Sequence, residues 1–251
     1  MAAESWPTPT SAAEFAERIE AVHRRIRAAE REAGRPPGSV RLLPVSKTVP
    51  AERVRLAIAA GATLLGENKV QEARQKAAEL AELPVEWAVI GHLQTNKAKY
   101  VAEFASEFQA LDSVRVAAAL DRRLQAAGRS LDVFVQVNTS AEPQKSGLAP
   151  EELGGFLAEL PAFASLRVRG LMTLAVFSAD AERVRRCFRL LRETRDRLRD
   201  DAPDGVSLDE LSMGMSGDYE LAIAEGATTV RVGQAIFGER PLPDSYYWPE
   251  G

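Results

Sequence analysis

The chain has 251 residues, of which 45% are hydrophobic and 27% charged, so it can bury a large core and has the usual length of a single α/β barrel. Its formal net charge of -4 gives no general basic field, which argues against nucleic acid or an anionic membrane as a partner. A single cysteine excludes an internal disulfide, and no apolar run approaches the ~20 residues of a membrane span. Because its first residues also lack a leader-like pattern, we expect a cytoplasmic protein, with a monomer as the default state.

The chain is predicted to form one domain with short ends. We expect residues 1–10 to be a flexible tail, residues 11–240 a single domain and residues 241–251 a C-terminal tail. A capping box of Ser11 and Glu14 predicts the start of an amphipathic helix, which Gly34 and the proline pair after it should end. This extra N-terminal helix should lie outside whatever follows.

From residue 40 onward, short apolar runs alternate with helical stretches. Strands this apolar, separated by helices, predict a parallel sheet covered by helices. Eight such units favour a closed (β/α)8 TIM-type barrel, although a doubly wound sheet is an alternative. The predicted strands are 40–46, 63–66, 87–91, 108–112, 131–137, 168–172, 208–212 and 229–232, and the predicted helices between them include 50–60, 70–80, 113–127, 150–160 and 181–199.

A short internal sequence repeat indicates that one structural unit is used twice. Residues 57–63 recur as residues 222–228, each predicted to end a helix, turn at a glycine and begin a strand. The alternative is that two alanine-rich helix ends coincide by chance.

Lys47 ends the first predicted strand, at the end of a barrel where functional groups collect. It shares strand parity with Leu43 and Val45, so its amine should point into the barrel if they do. Burial or a neighbouring cation would lower the pKa of this amine and make it able to form an imine. The alternative is a structural ion pair with a carboxylate such as Glu67, and strand position alone does not decide between them.

Two glycine-containing loops follow the seventh and eighth predicted strands. Residues 212–218 and 231–234 offer backbone amides and the Ser216 hydroxyl, and Gly233 would allow close approach of an anion to the main chain. This is the usual phosphate site of such barrels, although either loop alone could be a plain tight turn. With Lys47, they predict a pocket for a phosphorylated aldehyde.

Arg231 has the same strand parity as Gly233 and should also point inward. A guanidinium stays charged, so it would keep a facing pyridine nitrogen unprotonated and weaken the ring as an electron sink. The structural alternative is a buried ion pair of Arg231 with Glu67 or Glu86.

Together these segments resemble the signature blocks of the pyridoxal phosphate homeostasis proteins, single-domain relatives of the N-terminal barrel of alanine racemase. The blocks that carry the resemblance are residues 44–48, 66–72, 90–97, 145–147, 169–173, 211–216 and 231–238. The resemblance implies a (β/α)8 barrel that holds pyridoxal 5'-phosphate covalently on Lys47, with the phosphate in the two loops and Arg231 facing the ring nitrogen. The expected cofactor-binding residues are Lys47, Asn68, Asn138, Met172, Ser212, Gly214, Ser216, Arg231, Gly233 and Gln234.

The resemblance also implies cofactor buffering or delivery rather than a known reaction, with apo pyridoxal-phosphate enzymes as candidate recipients. The rival function is an amino-acid racemase, which needs a second acid/base group on the opposite face of the cofactor. A Schiff-base aldolase acting on a phosphorylated aldehyde is the third alternative. Two histidines and one cysteine give no metal-ligand cluster, and Lys145 is either a second amine near the pocket or a solvated loop lysine.

Overall fold

The computed structural model describes residues 6–142 and 144–239, and its centre is a closed parallel barrel. The strand order is β1-β8-β7-β6-β5-β4-β3-β2. A parallel bridge between Val45 and Gly66, with Ser46 N donating to Gly66 O at 3.0 Å, joins β1 to β2 and closes the ring. The strands are β1 Arg41–Pro44, β2 Leu64–Glu67, β3 Glu86–Val89, β4 Glu107–Leu111, β5 Leu131–Gln136, β6 Leu166–Met172, β7 Val206–Ser212 and β8 Thr229–Val232.

Helices lie between the strands and cover the outside of the barrel. They are α1 Ala12–Glu32, α2 Ala51–Ala59, α3 Val70–Glu79, α4 Ala98–Phe104, α5 Val114–Ala126, α6 Leu153–Glu159, α7 Ala181–Arg199, α8 Tyr219–Ala224 and α9 Gln234–Phe237. All eight predicted strands are present, which confirms the barrel and excludes the doubly wound sheet. None of the helices in the described ranges is long and apolar enough to cross a membrane.

The N-terminal helix takes the place that a long helix after the last strand would occupy. The helix that follows β8 has only four residues, and α1 packs against α2, α8 and α9 around the gap this leaves. Ser11 caps α1 by accepting from Glu14 N, as predicted, and Phe15 packs edge-on against Phe237 at 5.5 Å between ring centroids. At its other end, buried Glu30 accepts from Gly38 N and Val40 N, which fixes the entry into β1.

The internal sequence repeat corresponds to two helix ends with the same backbone geometry. Gly61 and Gly226 have φ of 101° and 100°, and the residue after each donates its N–H to the carbonyl five residues back. These are Schellman motifs, in which a residue with positive φ lets the chain reverse and satisfy the last helical carbonyls. The reuse of one unit is therefore confirmed for α2 and α8.

Two features lie outside what the sequence pattern predicts. Helix α4 is short and has no side-chain cap, so it lacks the usual start signal. The described part of the N-terminal tail contacts the other end of the domain, because Glu239 N donates to Trp6 O at 2.9 Å. Residues 1–5 and the predicted tail 241–251 lie outside the described residues, so the flexibility of both tails stays a prediction.

Gly170 lies where β6 and β7 shift register, and it tests how tightly the barrel wall is packed. A Cβ at this position would lie 1.8 Å from Glu210 O, so we expect Gly170→Ala to lower the free energy of unfolding by about 2 kcal/mol. Gly155 is the matched control, since it is exposed in α6 with no atom within 4 Å of an added Cβ, and alanine should be neutral or stabilising there. Urea unfolding of both variants measures the difference, and equal stabilities would contradict the tight packing of β6 against β7 at Gly170.

Candidate functional site

Polar side chains collect at one end of the barrel because all strands run parallel and their carboxyl ends meet there. Each strand or the loop directly after it contributes at least one candidate. They are Lys47, Asn68, His92, Asp112, Asn138, Thr173, Ser216 and Gly233 in strand order.

Lys47 is half-buried in a tight turn that leaves β1. Val49 N donates to Ser46 O at 3.0 Å to close the turn, and Thr48 has a φ of 66°, which is unusual for a β-branched residue. Leu43, which shares parity with Lys47, is the Cα partner of Arg231 on the neighbouring strand. Glu67, the ion-pair partner considered for Lys47, forms its ion pair with Lys76 at 2.8 Å.

Arg231 is almost fully buried, with 3% of its surface exposed. Its Nη1 donates to Ser212 Oγ and its Nη2 to Thr173 O, both at 2.7 Å. Burial lowers the pKa of Arg231 to about 10, although the nearby Asp218 carboxylate acts in the opposite direction, so the guanidinium is cationic at neutral pH. Within the described ranges it forms no ion pair, which removes the structural alternative with Glu67 or Glu86.

A line of hydrogen bonds continues from Arg231 across the inside of the barrel. Ser212 Oγ donates to Gln109 Oε1 at 2.6 Å, and Gln109 Nε2 donates to Glu107 Oε1 at 2.5 Å. Arg41 completes it with two hydrogen bonds to Glu107, at 2.9 and 3.1 Å. Since β1, β4 and β7 are not neighbours in the sheet, these contacts pass through the interior. We call Arg41, Glu107, Gln109, Ser212 and Arg231 the lumen network.

Each hydrogen bond in the lumen network has a defined donor and a defined acceptor. Arg231 donates to Ser212, which donates to Gln109, which in turn donates to the Glu107 carboxylate. The carboxylate is neutralised by Arg41, whose side chain is 38% exposed at the amino end of β1. Arg231 is therefore fixed in place by polar but uncharged groups, and its positive charge remains available to a ligand at the carboxyl end.

The two predicted anion loops lie side by side. Gly233 N donates to Ser216 Oγ at 3.2 Å, which ties the loop after β8 to the loop after β7. Gly214 has a φ of 95°, and a Cβ there would lie 2.6 Å from Ala222 Cβ, so only glycine lets the first loop pack on α8. Because Ser216 accepts from Gly233, its own O–H hydrogen can still be donated to an anion. Gln234 is the first residue of α9, directly after Gly233.

The remaining predicted residues border this end of the barrel in different ways. Asn68 is exposed after β2 and packs on Gly91, where an added Cβ would lie 2.1 Å from Asn68 O. Asn138 donates to Glu142 O at 2.9 Å and so organises its own loop. Met172 is fully buried in the barrel wall, where it pairs with Ser212. The geometry brings all ten predicted residues to the carboxyl end, and their role as cofactor ligands stays a prediction.

Lys145 is a partly buried loop lysine rather than a fully solvated one. Its side chain is 14% exposed, and Nζ contacts Glu142 Oε2 at 2.5 Å and Ala175 O at 3.0 Å. The loop after β5 is thereby joined to the loop after β6, at the border of the site.

His92 and Asp112 form a titratable pair at the same end of the barrel. His92 Nδ1 lies 3.6 Å from Asp112 Oδ2, with the histidine side chain 56% exposed and the aspartate mostly covered. Burial raises the pKa of Asp112, and the imidazole acts against that rise.

The sequence interpretation missed the lumen network beneath Arg231 and a buried charged cluster beneath Lys47. Glu107 and Gln109 alternate on one face of a strand that is otherwise apolar and fully buried, and this is the signal that could have revealed the network. The cluster of Glu67, Glu72 and Lys76 had a weaker signal, because Glu72 and Lys76 look like an ordinary helical ion pair.

The residues fit an aldehyde cofactor that carries a phosphate. A lysine amine, a buried cation and a pair of loops with free donor capacity lie at one end of the barrel. The described residues contain no group of three or more histidine, cysteine or carboxylate side chains that could hold a metal ion.

Comparison with known proteins agrees with this chemistry. Residues 18–241 match the family model for the N-terminal domain of alanine racemase. A protein of Pseudomonas aeruginosa named pyridoxal phosphate homeostasis protein is 45% identical over 226 residues, which cover 90% of this chain and 96% of that one. A protein of Aquifex aeolicus with the same name is 42% identical over 227 residues, covering 89% and 97% of the two chains.

A solved structure has the same barrel. PipY of Synechococcus elongatus, determined with PLP bound, is 39% identical and superposes with a TM-score of 0.78, covering 89% of this chain and 100% of that one. The chain therefore belongs to the pyridoxal phosphate homeostasis protein family and has the barrel of the alanine racemase N-terminal domain.

Proposed function

We propose that this protein binds pyridoxal 5'-phosphate, holds it as a Schiff base on Lys47 and serves to buffer or deliver the cofactor in the cytoplasm. The observation that carries the proposal is the convergence of Lys47, Arg231 and the two anion loops at adjacent strand ends, β1, β8 and β7. PipY, a relative with the same barrel, has been solved with PLP bound, which supports the choice of ligand.

Each group contributes a separate part of the binding. The amine of Lys47 would condense with the aldehyde and release one water, which would make the attachment covalent and reversible. Ser216 and the amides near Gly214 and Gly233 would hold the phosphate, which is why two loops are needed. Asn68, Asn138 and Met172 would border the ring, and Gln234 would add an amide at the start of α9. Ser212, whose only hydroxyl hydrogen is donated to Gln109, would act through its hydrogen bond to Arg231.

Arg231 favours a carrier over an enzyme. Catalysis at an amino-acid carbon with this cofactor relies on the ring as an electron sink, and a cation facing the ring nitrogen prevents the protonation that strengthens this sink. Because Ser212 Oγ and Thr173 O hold the guanidinium on two sides, it would stay in this position when the cofactor binds.

The racemase alternative rests on one specific observation, the His92–Asp112 pair. A racemase needs a second acid/base group opposite Lys47, and this pair lies at the same end of the barrel. The described tyrosines do not fill that role: Tyr219 is fully buried with Arg25 5.3 Å from its ring centroid, and Tyr100 on α4 stacks with Arg74. Tyr246 and Tyr247 lie outside the described residues.

Chemical reduction tests the attachment site. We expect borohydride treatment of the cofactor-loaded protein to fix the cofactor on Lys47, because imine reduction gives a stable amine. Peptide mass spectrometry reads out the site, and the visible absorption of the untreated protein should be lost in Lys47→Ala. Lys69→Ala is the control, since this exposed lysine precedes α3 and should not affect labelling. A label on another lysine, such as Lys145, would refute the assignment.

An amino-acid panel tests whether the protein catalyses a reaction. We expect the loaded protein to change the optical rotation of single-enantiomer amino acids no faster than Lys47→Ala, because Arg231 weakens the ring as an electron sink. Chiral chromatography measures both enantiomers. Racemisation well above the Lys47→Ala background, and lost in His92→Gln, would establish the racemase alternative. A protein without visible absorption that cleaves a phosphorylated aldehyde adduct would instead indicate the aldolase.

A further inference from the structure

We propose that Glu67, Glu72 and Lys76, named here the turn clamp, position Lys47 for imine formation by holding the backbone on both sides of it. The proposal rests on the Schiff-base role of Lys47 given above. The clamp residues come from the end of β2 and from one face of α3, beside the turn that carries Lys47.

Lys76 holds the residue before Lys47. Its Nζ donates to Ser46 O at 2.8 Å, to Glu67 Oε1 at 2.8 Å and to Glu72 Oε1 at 2.7 Å. An ammonium has three N–H donors, and the site supplies one acceptor for each of them. Glu67 Oε1 also accepts from Ser46 Oγ at 2.6 Å, so Ser46 is fixed through both its carbonyl and its side chain.

Glu72 holds the residue after Lys47. Thr48 N donates to Glu72 Oε1 at 2.6 Å while Thr48 has a φ of 66°. A β-branched side chain disfavours this left-handed conformation, and such a backbone persists only where its surroundings impose it. The carboxylate of Glu72 supplies that constraint, since a hydrogen bond to a charged acceptor is stronger than one to water or to a neutral group.

Burying the charged groups of the clamp costs free energy, so the clamp is not an efficient way to pack α3 against β2. Glu67 is fully buried, burial raises its pKa, and its Oε2 has no hydrogen-bond partner within the described ranges. A buried ion pair adds little stability compared with apolar side chains of similar size, so packing α3 on the barrel does not require these charges. What the charges do provide is a fixed geometry on both sides of one lysine.

The need for such geometry follows from the two attachment points of the cofactor. The loops after β7 and β8 would fix the phosphate, so the aldehyde reaches Lys47 at one position only. If the turn that carries Lys47 moved by even a few tenths of an ångström, phosphate binding would stay intact and imine formation would be weakened. Loss of the clamp should therefore weaken covalent attachment without weakening noncovalent binding, and the two can be measured separately.

Glu72→Leu is the variant that tests the clamp, because Glu72 is partly exposed and its removal leaves Glu67 paired with Lys76. We expect the equilibrium constant for imine formation with pyridoxal 5'-phosphate, read from visible absorption, to fall about tenfold. The affinity for pyridoxine 5'-phosphate, which has an alcohol in place of the aldehyde, should not change. Glu79→Leu, an exposed position on the same helix, is the matched control and should behave as wild type.

Two rescue variants separate positioning from general stability. Glu72→Gln keeps an acceptor for Thr48 N and should retain most of the imine formation. Adding Thr48→Gly to Glu72→Leu should restore it, because glycine adopts a positive φ without strain. If Glu72→Leu does not fold, the double variant Glu67→Leu and Lys76→Met replaces the buried pair by apolar groups, and it should keep its unfolding midpoint while losing imine formation.

Wild-type imine formation in Glu72→Leu would overturn the clamp. So would a parallel loss of pyridoxine 5'-phosphate binding and of thermal stability, because this would show a purely structural role. Failure of the proposed Schiff base on Lys47 gives a different result, since the wild-type protein would then carry the reduced cofactor on another lysine or on none.

Discussion

The interior of this barrel depends on one constraint, which is that the lumen network, formed by described residues, contains two arginines and a single carboxylate. Arg41 and Glu107 neutralise each other near the amino ends of the strands, while Arg231 near the carboxyl ends is held only by Ser212 and a carbonyl. A buried cation without an ion pair is costly, and the hydrogen bonds of Arg231 together with the nearby Asp218 carboxylate reduce that cost without cancelling the charge. The carboxyl end of the barrel therefore keeps a fixed positive charge.

The two sides of the site are built on different principles. The anion loops are short glycine-containing turns whose donors come largely from the main chain, so their shape depends on backbone conformation at Gly214 and Gly233. The turn of Lys47 has an unfavourable backbone conformation and depends on side chains from α3. Under the proposal above, the cofactor phosphate would meet donors set by the main chain, and its aldehyde would meet a turn whose shape depends on side chains of α3.

The sequence predicts the barrel well because most strands contain a short apolar run and several helix ends, such as those of α1, α2 and α5, carry a capping serine or a glycine. The location of Lys47, Arg231 and the two loops at the carboxyl end of the barrel could also be predicted, because each ends or follows a predicted strand. The roles of Gln109 and Lys76 could not be predicted, because they depend on contacts with residues far away in sequence, such as Ser212 and Ser46. Pairing across a barrel interior cannot be read from the periodicity of one strand.

The place of α1 in the barrel has a consequence for synthesis of the chain. Phe15, Val22 and Ile26 are buried against elements that include α8 and α9, and β1 pairs with β8. The ribosome makes α1 and α2 long before α8 and α9, so the part of α1 that packs on α8 and α9 stays uncovered until nearly the whole domain has emerged. Closure of the ring joins the most distant parts of the sequence, and this high contact order makes the first helix a late partner in folding.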